Sequence, residues 1–164
     1  MLGAFAVGKT SLVQRFVHSM FSDKYHTTIG VKIDQKNLVI NGQEVTMMLW
    51  DLYGEDDFMK VKSSYLMGAS GYFLVADGTR AETIEVAERL QEMAAASTNN
   101  VPFILLINKS DLTDLWEISE ERLAVLRRKG WQVILTSARD NQNVDEAFYS
   151  LGEQMITQQA KPLP

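Results

Sequence analysis

Apolar and polar positions along this chain follow two different periods. Val31 to Ile40 and Gln43 to Trp50 are strand-like runs, and Asn41-Gly42 between them is the dipeptide of a tight hairpin turn. Three later runs, Gly71 to Ala76, Val101 to Ile107 and Gln132 to Thr136, are almost continuously apolar, as strands buried on both faces of a parallel sheet are. The stretches Thr83 to Ala96, Ser119 to Lys129 and Asn143 to Ile156 carry apolar residues at helical spacing. Ser119-Glu120-Glu121-Arg122 reads as a helix start with acids in its first turn, and Gly130 as the stop. Strands alternating with helices predict an α/β fold: a mostly parallel sheet with helices on both faces, to which the hairpin adds one antiparallel edge strand. No repeat, low-complexity tract or linker interrupts the pattern, so residues 1–164 are expected to form a single domain.

Composition narrows the chemistry. A net charge of −5 argues against nucleic acid as a partner, because neutralising phosphates takes a basic face. The absence of cysteine excludes disulfides, thiolate metal sites and cysteine nucleophiles, and leaves no residue to prenylate, so no direct lipid anchor is expected. No apolar run approaches the roughly 18 residues of a membrane span, and the expected location is cytoplasmic.

The most informative stretch is Gly3-Ala4-Phe5-Ala6-Val7-Gly8-Lys9-Thr10, which fits the pattern G-x-x-x-x-G-K-[ST]. In such a loop successive backbone N–H groups turn inward to form an anion nest, and the following helix adds its positive N-terminal end. Gly3 and Gly8 allow the close approach that phosphates need, Lys9 would reach the β- and γ-phosphates, and the Thr10 hydroxyl would coordinate Mg²⁺. The continuation Ser11-Leu12-Val13-Gln14-Arg15-Phe16 is helical, which argues against an accidental match. A loop of this kind follows a central strand, yet only Met1 and Leu2 precede Gly3. The first strand is therefore expected to be truncated.

The choice of base rests on Asn108-Lys109-Ser110-Asp111, directly after the apolar strand Phe103 to Ile107. Alone, N-K-x-D is a weak signal; at the C-terminal end of a parallel strand it stands where doubly wound sheets bind ligands. A carboxylate from Asp111 matches the N1–H and exocyclic amine of guanine, a pair of donors that adenine lacks. Thr136-Ser137-Ala138, after another buried strand, offers a backbone N–H to the guanine carbonyl.

With these motifs in place the chain resembles the Ras-like small GTPases over nearly its whole length. T-T-I-G-V at 27–31, W-D-L-Y-G-E-D at 50–56 and S-A-R at 137–139 join the phosphate loop and N-K-S-D. Tyr25-His26-Thr27-Thr28-Ile29-Gly30-Val31 and Ser63-Ser64-Tyr65-Leu66-Met67-Gly68-Ala69 look most like the Rab branch. The resemblance implies a P-loop NTPase G domain that binds GTP and GDP with Mg²⁺, hydrolyses GTP and acts as a molecular switch. It further implies that residues 3–11, from Gly3 through Ser11, cradle the phosphates, and that Phe21 packs on the guanine ring. Thr28 would close over Mg²⁺ and the γ-phosphate, Asp51 would hold Mg²⁺ through water, and Gly54 would donate its N–H to the γ-phosphate. Lys109 would lay its stem along the base, Asn108 would tie the loops together, and Ser137, Ala138 and Arg139 would complete the base site. Thus Lys9, Gly54 and Glu55 are the candidate catalytic residues, and Thr10, Thr28 and Asp51 the candidate metal ligands.

Two departures from the family pattern bear on catalysis. Phe5 stands where Ras proteins have glycine and Rab proteins usually something small and polar, and bulk at this position is implied to hinder hydrolysis. Glu55 replaces the glutamine that orients the attacking water; glutamine donates and accepts, whereas an ionised glutamate only accepts. The blander alternatives are that Phe5 packs on the switch loops and that Glu55 points to solvent. No arginine occurs between Val17 and Gly30, so no arginine finger is expected in cis. Slow hydrolysis follows, with a binding module that hardly hydrolyses as the alternative; an ATPase or nucleotide kinase is disfavoured by N-K-S-D. Ile33, Trp50 and Tyr65 match the hydrophobic triad that Rab proteins present to effectors, and Phe58, Met59, Leu66 and Met67 add apolar character, although core packing is the expectation for Met67. Met47 and Met48 are expected in a strand, and His18 and His26, which have no carboxylate or histidine at ligand spacing, at structural or surface positions.

Overall fold

The computed structural model describes residues 1–24, 27–52 and 63–160. Its elements run β1 (Leu2–Gly3), α1 (Lys9–His18), β2 (Val31–Ile40), β3 (Gln43–Leu52), β4 (Tyr72–Asp77), α2 (Glu82–Ser97), β5 (Phe103–Asn108), α3 (Glu120–Arg128), β6 (Val133–Leu135) and α4 (Val144–Gln159). The strands β1-β4-β5-β6 lie side by side and parallel, while β2 and β3 pair antiparallel. The hairpin turns where the sequence predicts, with positive φ at both Asn41 (51°) and Gly42 (79°). The antiparallel element is a two-stranded ribbon in which β2 pairs with β3. The Met1 amine donates to the Trp50 carbonyl at 2.8 Å, which links the start of the chain to β3.

Alternation along β4 and β5 divides the core into two layers. Phe73, Val75, Ile104 and Leu106 face α1 and α4, while Leu74, Ala76, Leu105 and Ile107 face α2 and α3. In the first layer Phe16 of α1 stacks on Phe148 of α4 with ring centroids 4.0 Å apart. Removing such a buried ring costs about 3–5 kcal/mol, so Phe16 fixes the helix that begins at the phosphate loop. Alpha-helix α3 starts as its sequence indicates: the Ser119 hydroxyl accepts from the Arg122 N–H at 3.2 Å, and Gly130 follows the last turn with φ of 83°.

Two differences from the sequence reading have physical causes. Strand β6 is half-buried rather than buried because it is the edge strand of the sheet. Strands β4 and β5 each run one polar residue beyond the apolar pattern, ending on the register pair Asp77 and Asn108. His18 lies at the surface as expected, and the ribbon brings Asp34, sixteen residues away, within 3.3 Å of it. His26 lies outside the described residues.

Candidate functional site

A cavity of about 360 Å³ opens at the C-terminal ends of the parallel strands, as expected for a doubly wound sheet. Its phosphate end is made by the loop that joins β1 to α1. Ala6 (φ 60°) and Gly8 (φ 98°) turn the backbone into the left-handed region there. A Cβ at Gly8 would stand 2.2 Å from Asn108 Nδ2, and one at Gly3 would stand 2.3 Å from the Val75 carbonyl, so the loop closes against β4 and β5 only with glycine at both positions. Phe5, Ala6, Gly8, Lys9, Thr10 and Ser11 line the cavity. Gly3, Ala4 and Val7 do not: Ala4 and Val7 pack into the core, which anchors the loop from behind. The first N–H groups of α1, which have no acceptor within the helix, make its entrance an anion site.

Lys9 is buried, and its Nζ donates to the carbonyls of Gly3 and Ala4, both at 2.8 Å. Burial lowers its pKa from 10.5 to about 8; the Asp51 carboxylate works in the opposite direction, and the charge of Arg80 lowers it further. A bound anion would reverse that shift.

Beside Lys9 the three candidate metal ligands converge. The Thr10 hydroxyl donates to Asp51 Oδ2 at 2.5 Å, and the Thr28 hydroxyl lies 2.7 Å from that of Thr10. Asp51 is fully buried, and its Oδ1 has no hydrogen-bond partner among the described residues. A buried, half-satisfied carboxylate flanked by two hydroxyls suits a hard cation. No cluster of three histidine, cysteine, aspartate or glutamate side chains occurs among the described residues. One carboxylate with hydroxyls fits Mg²⁺ better than Ca²⁺, since Mg²⁺ keeps waters and takes its remaining ligands from substrate phosphates.

The base end of the cavity is lined by Phe21, Asn108, Lys109, Asp111, Ala138 and Arg139. Asn108 ties the two ends together: its Nδ2 donates to the Val7 carbonyl at 3.0 Å and its Oδ1 accepts from the Ala138 N–H at 3.2 Å. A guanine carbonyl would therefore share the Ala138 N–H with Asn108. Ser137 is buried behind the cavity, where its hydroxyl donates to Asp111 Oδ1 at 2.7 Å and aims that carboxylate. Gly54 and Glu55 lie outside the described residues.

Several residues at the site carry no sequence signal that singled them out. Gln14, Ser22, Asp23 and Lys24 line the cavity through ordinary helix and loop positions. Arg15, in the helical continuation of the loop motif, donates through Nε to the Ala138 carbonyl and through Nη2 to the Arg139 carbonyl, each at 2.7 Å, and its guanidinium lies 5.9 Å from the Phe21 ring centroid. Asp77 and Arg80 stand beside Lys109 and Phe5: Arg80, from the turn between β4 and α2, donates to the Phe5 carbonyl, and Asp77 accepts from both Arg80 and Lys109.

Away from the cavity, Ile33 and Trp50 are cross-strand partners on the ribbon, 49% and 43% exposed, and Tyr65 is 37% exposed. Met48 is exposed and Met47 buried on the same strand, as alternation requires. Met67 is 74% exposed, contrary to the expectation of core packing; its neighbour Leu66 takes the core position instead. Phe58 and Met59 lie outside the described residues. No helix among the described residues is long and apolar enough to cross a membrane.

A G-x-x-x-x-G-K-T loop that closes against parallel strands and lines a cavity at their carboxyl ends is the architecture of a P-loop nucleotide-binding protein. Residues 1–157 match the Ras family. The Ras-related protein RABA5a of Arabidopsis thaliana is 40% identical over 150 residues, covering 90% of this chain and 68% of the relative. The Ras-related protein YPTC6 of Chlamydomonas reinhardtii is 34% identical, covering 92% and 71% respectively. The Ras-related protein Rab-19 of Xenopus laevis is 35% identical, covering 95% and 75% respectively. The chain belongs to the Ras family, within its Rab branch, and is a GTP-binding small GTPase.

Proposed function

We propose that this chain is a slow GTP/GDP switch whose γ-phosphate-dependent order at Thr28 and Gly54 controls effector binding. The observation that carries this reading is the convergence of Thr10, Asp51 and Thr28 beside Lys9, with one Asp51 oxygen left without a partner among the described residues. Lys9 would neutralise the β- and γ-phosphates, and Thr10, Thr28 and Asp51 would hold the cation. When bound, Mg²⁺ offsets negative charge on the transferring phosphoryl group. Asp111 reads the guanine edge, Phe21 and the Lys109 stem enclose the ring, and Ala138 and Arg139 close the pocket. Ile33, Trp50 and Tyr65 form the effector patch, since an exposed tryptophan beside switch loops is a natural anchor. The protein acts in the cytoplasm.

Hydrolysis is slow because Phe5 lines the phosphate end of the cavity, where the water-orienting side chain and a partner's arginine must both fit. Glu55 compounds this by adding negative charge and losing a donor. The same observation favours a second reading, a nucleotide-dependent binding module with little or no hydrolysis. Single-turnover GTP hydrolysis, with and without cell extract, separates them: slow but activatable turnover supports the cycling switch, and none under either condition supports the module.

A further inference from the structure

The buried carboxylate of Asp77 lies between the two ends of the nucleotide cavity without lining it. It closes β4, in register with Asn108, so the sheet itself fixes its place. Its side chain is 1% exposed. Oδ1 accepts from the N–H and hydroxyl of Thr79, at 2.9 and 2.8 Å. Oδ2 accepts from Lys109 Nζ at 2.6 Å and from Arg80 Nε at 3.1 Å. The far side of the same guanidinium, Nη2, donates to the Phe5 carbonyl at 2.7 Å. A continuous chain of charge-assisted bonds thus runs from Lys109 through Asp77 and Arg80 to the phosphate loop.

We propose that Asp77 and Arg80 are positioning residues that strap the base-contacting Lys109 to the backbone of Phe5 and so slow nucleotide release. The inference rests on the reading of Lys109 as a base contact. Neither residue needs to touch nucleotide. A lysine whose head group is pinned presents its four-carbon stem as a fixed wall for a purine, whereas an unpinned one must lose rotamer freedom on binding. Arg80 suits the second half of the task because its planar fork serves two acceptors at once, which a lysine ammonium at the end of a flexible stem does not reproduce. Burial alone would raise the Asp77 carboxyl, but the bonds from Lys109 and Thr79 outweigh it and hold the group below its ordinary pKa. The strap therefore stays charged at neutral pH. It is distinct from the bonds of Asn108, which join Val7 to Ala138.

The test is the dissociation rate of a fluorescent GDP analogue from the full chain with Mg²⁺, read in a double-mutant cycle. Asp77→Asn should speed release about tenfold, the scale of one charge-assisted contact. Lys109→Met should do the same, and the double variant should release little faster than Lys109→Met alone. A merely structural Asp77 gives multiplicative effects instead, which overturns the strap. Because Asp77→Asn leaves two cations beside a neutral amide and risks the fold, Arg80→Ala and Arg80→Lys provide a second comparison. Arg80 is one-third exposed, and Lys109 keeps its carboxylate in both. Both variants should release GDP several-fold faster than the parent; release at the parent rate from Arg80→Lys overturns the bridging role. If Lys109→Met leaves release unchanged, the base-site reading fails; if only the Asp77 and Arg80 variants are silent, the strap fails alone.

Discussion

The hydroxyl of Thr10, in the first turn of α1, donates to the carboxylate of Asp51, near the end of β3, across 2.5 Å. Thr28 stands within 2.7 Å of the same hydroxyl. Chelating Mg²⁺ should therefore speed GDP release by about ten- to a hundredfold, the scale of one or two lost charge-assisted contacts. In Thr10→Ala the release should be fast with or without chelator. Thr28→Ala should weaken Mg²⁺ and GTP binding while leaving GDP affinity nearly intact. Equal losses of GTP and GDP in Thr28→Ala would contradict the role assigned to Thr28.

Asp111 is aimed by the Ser137 hydroxyl at 2.7 Å, which leaves its outer oxygen for the base. Asp111→Asn should weaken GDP binding by about a hundredfold or more, because a bidentate charged pair is lost. Preference should shift toward xanthine nucleotides, whose carbonyl replaces the guanine amine. Competition of GDP and XDP for the variant checks this; unchanged selectivity would remove Asp111 from base recognition.

What the sequence made legible follows from how local each signal is. The hairpin turn at Asn41-Gly42, the cap at Ser119 and the buried runs of β4 and β5 are set by neighbouring residues, and they appear where the pattern places them. The phosphate loop and N-K-S-D were legible for the same reason. The Arg15 bonds to Ala138 and Arg139, and the Asp77 bridge to Lys109 and Arg80, join residues from distant parts of the chain or from beyond an apolar run. No local period encodes them. Met67 misled because composition cannot tell which of two adjacent apolar residues, Leu66 or Met67, faces inward.

Lys9 makes nucleotide binding pH-dependent. Its ammonium is lowered to about 8 in the free protein, below its unfolded value, so the free fold gains stability as pH rises through that range. Phosphates favour the charged form and raise the pKa again, so binding above pH 8 takes up a proton. GDP affinity should fall about tenfold between pH 7 and pH 9, where only about a tenth of the free protein keeps this charge. Calorimetry in buffers of different ionisation enthalpy should register proton uptake at pH 8.5, absent in Lys9→Met. No uptake in the parent would contradict the phosphate contact.

Phe5 lines the cavity, and its carbonyl accepts from Arg80 at 2.7 Å. Single-turnover hydrolysis should be slow in the parent and resistant to an activator that inserts an arginine beside the ring. Phe5→Gly should restore sensitivity to such an activator, and the double variant with Glu55→Gln should behave most like an ordinary family member. A parent already as fast as such a member, and unaffected by Phe5→Gly, would show that the ring does not obstruct the reaction.

The nucleotide carried by the purified protein tests the central claim most directly. Protein isolated in Mg²⁺-containing buffer, denatured and resolved by anion-exchange chromatography, should yield close to one guanine nucleotide per chain, as GDP or GTP. Adenine nucleotide in its place, or an empty protein that takes up neither GDP nor GTP when supplied with Mg²⁺, would contradict the assignment of this cavity to a guanine-nucleotide switch.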